Sequence, residues 1–280
     1  MYTCAGEMVA LLTQHGKERI IAPVLEPGLD CRIHHVTGFD TDQLGTFTRD
    51  TPRPGTQLDA ARRKARTGMA LSGLSLGMAS EGSFGPDPYT GMFPWNLELL
   101  VWIDDRLGIE VVGMAQGAAR SGHVLTGDWA DIESFAVRED FPDHHVVLRP
   151  QSQDDPRIQK GIADWQRLRS SFAECLAQSN NQRVFAETDL RAFANPTRMQ
   201  RIEEAARDLL QRLQSGCPAC GSPGYWPTER QPGLPCADCG LPTTVYRSEA
   251  WTCVRCDHRS VKARTDRALA APGECGRCNP

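Results

Sequence analysis

The sequence of 280 residues lacks long apolar runs and lacks a strong excess of basic charge. A membrane-spanning helix needs roughly 20 consecutive apolar residues, so the first absence argues against a membrane protein. The formal net charge is −4 at pH 7, which argues against a polybasic surface for nucleic acid or lipid. The N-terminal segment has no basic stretch ahead of an apolar one, so we expect no signal peptide and a cytoplasmic location.

Two common catalytic motifs are also missing. The Gly-Lys of QHGKE follows an apolar stretch, but the upstream glycine of a phosphate-binding loop is not at the required distance. In GMASEG, Met78 stands where a nucleophile elbow has its first glycine. The sequence therefore argues against both a P-loop nucleotidase and a serine hydrolase.

Cysteine, in contrast, is abundant. Eleven cysteines without an export signal indicate a reducing compartment, where thiols bind metals and disulfides are rare. Eight of them form four Cys-x-x-Cys turns: Cys217/Cys220, Cys236/Cys239, Cys253/Cys256 and Cys275/Cys278. We expect the other three, Cys4, Cys31 and Cys175, to be ordinary buried thiols.

Two Cys-x-x-Cys turns can supply four thiolates to one zinc ion in a closed tetrahedral site. The first two turns are 15 residues apart and the last two are 18 residues apart, as in zinc ribbons. Pairing of consecutive turns is the default, although the spacing leaves interleaved or nested pairing open, and the middle gap of 13 residues could also be bridged. The turns predict two structural zinc ions, whose binding energy would replace the core that this tail lacks.

The chain before residue 215 alternates strand-like and helix-like segments, which is typical of α/β structures. The predicted strands cover 8–13, 31–37, 74–80, 97–104, 109–115, 144–150 and 183–189. Helices are predicted over 16–26, ending near Pro27, from Thr56 onward, over 163–178 and from Asn195-Pro196 to Gly216. The strands at 97–104 and 109–115 form a hairpin, so the sheet is mixed. A long loop is expected over 38–55.

Composition changes abruptly at Gly216, from an apolar helix to a segment rich in Cys, Gly and Pro. We therefore predict two domains. Residues 1–215 form a mixed α/β domain with flanking helices, and residues 216–280 form a small double zinc ribbon. Because the first has its own core, it should fold without the second.

Three segments of the larger domain carry polar residues in a suggestive order. Thr13, His15 and Lys17 follow the first strand. The segment GTQLDAARRKA (55–65), which opens a predicted helix, places Asp59 three residues after Thr56 and Lys64 five residues after Asp59. GMASEGSFG then presents Glu81 after an apolar run.

Taken in order, these segments resemble the inosine triphosphate pyrophosphatase and Maf group of nucleotide hydrolases. The resemblance implies phosphate contacts from Thr13, His15, Lys17 and Lys64. It also implies that Asp59 and Glu81 are the catalytic carboxylates that hold Mg²⁺. His15 and Ala60 each stand where the group has Asn, and Lys17 lies one residue early. The whole chain also resembles an uncharacterised bacterial family described only as a domain of unknown function, which implies no activity.

Simpler interpretations compete with these roles. Asp59 can be the capping partner of Thr56, because a Thr followed three residues later by an acid opens many helices. Glu81 can be a plain turn residue. In ETDLRAFANPTR, Asp189 and Arg191 precede a capped helix N-terminus, which can hold an anion. Glu81 and Asp189 would line one cleft if their strands are neighbours.

Two hypotheses of function follow. The first is a Mg²⁺-dependent hydrolase of nucleotides or related phosphoanhydrides, similar to nucleoside triphosphate pyrophosphatases. The alternative is a non-enzymatic adaptor whose zinc ribbons bind protein or nucleic acid. Residues 216–280 carry eight Lys/Arg and six Asp/Glu, and each zinc with four thiolates would add −2. The loaded module would be acidic, which argues against strong binding to phosphate backbones.

Overall fold

The computed structural model of the chain describes residues 2, 4–39 and 55–280. The predicted loop at 38–55 lies almost entirely outside them. The described residues form three sheets, and the largest has five strands in the order β2-β1-β3-β4-β5. Its strands are β1 (Met8–Leu12), β2 (Arg32–Val36), β3 (Leu76–Pro86), β4 (Pro94–Asp104) and β5 (Ile109–Ala118).

The predicted mixed sheet is confirmed. β1 runs parallel to β2 and β3, whereas β3, β4 and β5 form an antiparallel meander. β3 extends six residues beyond the predicted strand, because β4 pairs with it along its whole length. Glu81 pairs with Leu99 in this ladder, so Glu81 lies inside a strand and its interpretation as a turn residue is wrong.

Helices cover both faces of this sheet. α1 (Glu18–Leu29) and α5 (Pro196–Gln214) pack on one face, and α2 (Gln57–Ser72) packs on the other. Side chains alternate between the faces along each strand. Met78 therefore joins the core beneath α1 and α5, while Ala79 joins the core beneath α2.

The ends of the helices follow local sequence signals, with one exception. Thr56 caps α2, and Asn195 caps α5 with a proline at the first helical position, as predicted. α1, however, continues past Pro27 to Leu29. Burial of Ile21, Leu25 and Leu29 stabilises the helix by more than is lost through the backbone hydrogen bonds that its two prolines cannot donate.

A second sheet of four strands has the order β6-β9-β7-β8. Its strands are β6 (His123–Thr126), β7 (Val146–Pro150), β8 (Gln159–Ile162) and β9 (Val184–Thr188). α3 (Trp129–Arg138) and α4 (Trp165–Gln178) share its apolar core. β3 and β9 belong to different sheets. The strands that lead to Glu81 and Asp189 are therefore not neighbours, and the two residues do not line one cleft at the edge of a shared sheet.

The C-terminal segment forms a third, antiparallel sheet. Its strands are β10 (Trp226–Pro232), β11 (Tyr246–Thr252) and β12 (Arg259–Ala263). Within the described residues, no helix combines the length and apolarity needed to cross a bilayer.

Candidate metal centres and a buried charged cluster

The eight paired cysteines come together in two groups of four. The first centre contains Cys217, Cys220, Cys253 and Cys256, and the second contains Cys236, Cys239, Cys275 and Cys278. The turns thus pair first with third and second with fourth. The default expectation of consecutive pairing is wrong, and the interleaved alternative is the one that the fold adopts.

Strand order explains this pairing. Trp226 at the start of β10 pairs with Thr252 at the end of β11, which brings the turn before β10 to the turn after β11. At the opposite end of the sheet, Ser248 near the start of β11 pairs with Ala263 at the end of β12. An antiparallel meander of three strands therefore places alternate connections at the same end.

Sulfur spacing in both groups suits a tetrahedral ion. The Sγ atoms of Cys217 and Cys256 are 3.8 Å apart, and those of Cys239 and Cys275 are 3.6 Å apart. A tetrahedron with zinc–sulfur bonds of about 2.3 Å has sulfur–sulfur edges of about 3.8 Å. Backbone N–H groups of Cys278 and Arg277 lower the pKa of Cys275 and so favour its thiolate. Each group could hold one zinc ion.

Basic residues of the module are largely engaged within the module. Arg259 pairs with Glu229 at 2.7 Å, and Arg267 pairs with Glu274 at 2.8 Å. The Nζ atom of Lys262 lies 3.3 Å from the centre of the Trp251 ring. These basic groups therefore already have partners within the module. Cys4, Cys31 and Cys175 are buried away from both centres, as predicted.

A second concentration of polar residues lies in the α/β domain, and its first half is under α2. Glu81 forms an ion pair with Lys64, and their side chains are only 3% and 13% exposed. Gln57, the first residue of α2, donates to the carbonyl oxygens of Glu81 at 2.8 Å and Leu97 at 3.0 Å. The α2 N-terminus is thereby fastened to the strand that carries Glu81.

The other half lies on the opposite face of the sheet. Arg198 of α5 donates from Nε to Oε1 of Glu98 at 2.7 Å, and both side chains are almost completely buried. Asn96 also donates to Oε1 of Glu98, at 3.0 Å. Lys17 is 5% exposed, and its ammonium donates to the carbonyl of Ser80 at 3.1 Å and to the hydroxyl of Ser80 at 3.2 Å.

We call these five ionisable residues, Lys17, Lys64, Glu81, Glu98 and Arg198, the charged cluster. It contains three basic groups and two carboxylates, so it has a formal excess of one positive charge. Burial, with the positive charge of Arg198, lowers the pKa of Lys17 to about 7. Burial, with the charge of Lys17, lowers the pKa of the adjoining His15 to about 4, so this imidazole is neutral.

Other predicted site residues are engaged differently. Asp59 accepts from the Thr56 backbone N–H at 3.0 Å, the Thr56 hydroxyl at 2.7 Å and Arg62 at 3.3 Å. It therefore completes the helix cap that the sequence predicts. The carbonyl oxygen of Thr13 lies 2.7 Å from Nε2 of His35.

Asp189 and Arg191 form a bidentate pair, with Nε–Oδ1 and Nη2–Oδ2 distances of 3.0 and 2.5 Å. The guanidinium of Arg191 also lies 4.8 Å from the centre of the Phe193 ring, and that ring is 5.9 Å from His15. Arg191 thus stands next to the charged cluster on the side of the second sheet. Its charge contributes to the lowered pKa of His15.

Sequence reasoning missed Glu98 and Arg198. Glu98 lies in LELLVWID, where a carboxylate followed by five apolar residues signals a buried charge that needs a partner. Its partner is 100 positions away on α5. The sequence alone has no signal that joins the two.

A cleft of about 380 Å³ adjoins the cluster. It lies between the turn that joins β3 to β4 and the strands β6 and β9, and its walls include Phe84, Phe93, His123, Phe185 and Glu187. Arg198 connects cleft and cluster, because its guanidinium lies 5.7 Å from the centre of the Phe84 ring. Phe185 and His123 stack with their ring centres 5.5 Å apart.

Fold and centres define a mixed α/β protein with a C-terminal module of two tetracysteine metal centres. Residues 64–280 match the family described as Domain of unknown function (DUF6671), and the chain belongs to that family. Comparison with curated proteins gives no match, and neither does comparison with solved structures.

Proposed function

We propose that the protein is a Mg²⁺-dependent hydrolase of nucleotides or related phosphoanhydrides, with the charged cluster as its phosphate site. The observation that carries the proposal is the excess of buried basic groups in the cluster. A buried cation is costly unless an anion accompanies it. Lys17 donates to uncharged oxygens of Ser80, and burial lowers its pKa to about 7, so an incoming phosphate would favour its charged ammonium form.

The position of the cluster supports this assignment. Lys17 follows the C-terminal end of β1 and directly precedes α1, whose N-terminus carries partial positive charge. β3 runs parallel to β1 and brings Ser80 and Glu81 to the same edge. Ligands of α/β sheets collect at such strand ends. The resemblance to nucleoside triphosphate pyrophosphatases implies matching roles, with phosphate contacts from Lys17 and Lys64 and a Mg²⁺-binding carboxylate from Glu81.

Oxygen donors for Mg²⁺ are present in the cluster. On the face under α5, the Oε2 atom of Glu98 and the Oδ1 atom of Asn96 have no hydrogen-bond partner among the described residues, and Glu81 supplies a carboxylate on the opposite face. Mg²⁺ prefers a few carboxylate or amide oxygens together with phosphate oxygens. When bound, it would stabilise the charge that develops on the phosphoryl group. Lys17 and Arg198, on the same face as Glu98, would hold and orient the phosphate oxygens, and Lys64 would orient Glu81.

The aromatic cleft would receive the remainder of the substrate. Phe84 contacts the guanidinium of Arg198 and also lines the cleft. A phosphate bound at the cluster would therefore have its organic part beside planar side chains, which suit a planar ring.

The test is hydrolysis of a nucleotide panel at increasing Mg²⁺ concentration, with separate detection of pyrophosphate and phosphate. Lys17→Met should abolish most of the activity, whereas Arg66→Gln, at an exposed ion pair with Asp105, should leave it intact. A wild-type chain that hydrolyses none of the panel, yet binds single-stranded nucleic acid or protein at two salt concentrations, would favour the adaptor hypothesis instead.

A further inference from the structure

The first metal centre is built directly onto the end of α5. Cys217 lies three residues beyond the last residue of this helix. Two backbone N–H groups donate at this end: Gly224 donates to the carbonyl of Arg212 in the last turn, and Tyr225 donates to the carbonyl of Ser215, the C-cap residue, both at 3.0 Å. Helix ends leave such carbonyls without partners inside the helix. The segment organised by the first centre thus completes the last turn of α5.

The same segment is pressed against the large sheet at Gly224. A Cβ atom at this position would lie 2.7 Å from Val111 of β5 and 3.0 Å from Val254. Val254 lies between Cys253 and Cys256, the other two ligands of the first centre. The backbone of Gly224 also has φ near +85°, which disfavours any other residue. Sheet, helix end and metal centre therefore meet at one glycine.

The second centre is attached differently. Pro235 and Ala237 exchange backbone hydrogen bonds with Ala270 at 2.8 and 2.9 Å. Backbone hydrogen bonds of residues 233–245 and 264–280 are formed within the C-terminal module, among them Leu234 to Val245 and Arg264 to Arg247. Among the described residues, the backbone hydrogen bonds to the end of α5 come from Gly224 and Tyr225, beside the first centre and not the second.

The opposite end of α5 holds the charged cluster. Arg198 is in its first turn, roughly 24 Å from Gln214 at 1.5 Å per residue. Between them, Leu209 packs so closely on Gly113 that a Cβ there would lie 2.5 Å from it. A helix packed in this way shifts as a unit, because its contacts leave little room for bending.

We propose that metal occupancy of the first centre, and not of the second, controls the charged cluster through the position of α5. Loss of the first metal releases Gly224 and the end of the helix, and Arg198 then loses its alignment with Glu98. The effect of the first metal on anion binding rests on the proposed function of the cluster. The effect of the first metal on the position of α5 does not depend on that proposal.

The experiment compares Cys220→Ser with Cys278→Ser, which each remove one exposed thiol, from the first and second centre respectively. Zinc content, hydrogen exchange of peptides from α5 and α2, and calorimetric binding of tripolyphosphate are measured for both. Each variant should lose about one zinc. Only Cys220→Ser should speed exchange in α5 and weaken tripolyphosphate binding by about tenfold or more. Gly224→Ala, which keeps every thiol, should retain two zinc ions and still speed exchange in α5.

Equal hydrogen-exchange rates of α5 in the two cysteine variants would overturn the proposal. So would an increase in exchange rate in Cys220→Ser that is as large in α2 as in α5. Unchanged α5 exchange in Gly224→Ala would contradict the path through that residue. If the wild-type chain binds no tripolyphosphate, the proposed anion site fails, while the exchange data still decide whether the first centre holds α5.

Discussion

Arg198 and Glu98 form an ion pair of 2.7 Å in which the two side chains are 1% and 0% exposed. Such a pair adds little net stability over an apolar one, because both charges must be desolvated. Under the proposed function, the pair would orient Arg198 next to Lys17 at the phosphate site. It also joins the first turn of α5 to the middle of β4, so the cluster depends on how this helix lies across the sheet.

Replacing Glu81 with Gln should reduce both stability and activity. The change removes one partner of a buried ion pair and leaves Lys64 uncompensated, which costs roughly 3 kcal/mol. Hydrolysis should fall by about 10²-fold if Glu81 activates water or holds Mg²⁺. Urea unfolding and turnover measure the two effects. Lys64→Met combined with Glu81→Gln is the control, since it should regain stability without regaining activity. Full turnover in Glu81→Gln would remove this residue from the catalytic site.

Asp59→Asn separates the cap from catalysis. Hydrogen bonds from the Thr56 hydroxyl and backbone N–H lower the pKa of Asp59 in the folded chain. The ionised carboxylate therefore stabilises α2 at pH values above the pKa that Asp59 has in the unfolded chain. This stabilisation is lost as the pH falls through the lower pKa of the folded chain. The variant should show a lower thermal midpoint at pH 7, with turnover per folded molecule unchanged. A specific loss of turnover without any change in midpoint would restore Asp59 to the metal site.

Lys17 should make stability depend on pH in the neutral to alkaline range. Its pKa is lowered to about 7 in the folded chain from 10.5 in the unfolded chain. The unfolded chain therefore binds more protons between these values, and stability rises with pH across this window. Lys17→Met removes the effect. The free energy of unfolding is measured with urea at pH 7 and at pH 9.5. The variant should be more stable than the wild type at pH 7, and this advantage should be smaller at pH 9.5. An advantage of the same size at both pH values would contradict the lowered pKa of Lys17.

Zinc analysis of two double variants tests the interleaved pairing. Cys220→Ser with Cys253→Ser damages only the first centre and should leave about one zinc per chain. Cys220→Ser with Cys239→Ser damages both centres and should leave little or none. Consecutive pairing would reverse the two results. Cys4→Ser, Cys31→Ser and Cys175→Ser serve as controls, because these buried thiols lie outside both groups and should not alter zinc content.

A chain of residues 1–215 should fold, because α5 keeps its apolar face against the sheet through Ile202, Leu209 and Leu213. Its thermal transition should remain cooperative but occur at a lower temperature than in the full chain, since Gly224 and Tyr225 no longer complete the helix end. Calorimetry measures both properties. A truncated chain without a cooperative transition would place the domain boundary beyond Gly216.

Local features of the protein were predictable from its sequence. The caps at Thr56 and Asn195 use side chains within three residues of the N–H groups that they accept from. The eight cysteine ligands are recognisable because a Cys-x-x-Cys turn is a complete half of a metal site. The short turn between the apolar segments 97–104 and 109–115 indicated the hairpin that makes the sheet mixed.

Tertiary structure decided which distant residues meet. The pairing of the cysteine turns depends on the meander of β10, β11 and β12, which the gap lengths alone leave open. Glu81 lies within a strand only because β4 pairs with it. Glu98 and Arg198 are joined across 100 positions by the packing of α5 on the sheet. Metal-ligand turns and helix caps each form within a few consecutive residues, so a short segment of sequence determines them. The charged cluster depends on strand register and helix packing, which no short segment determines.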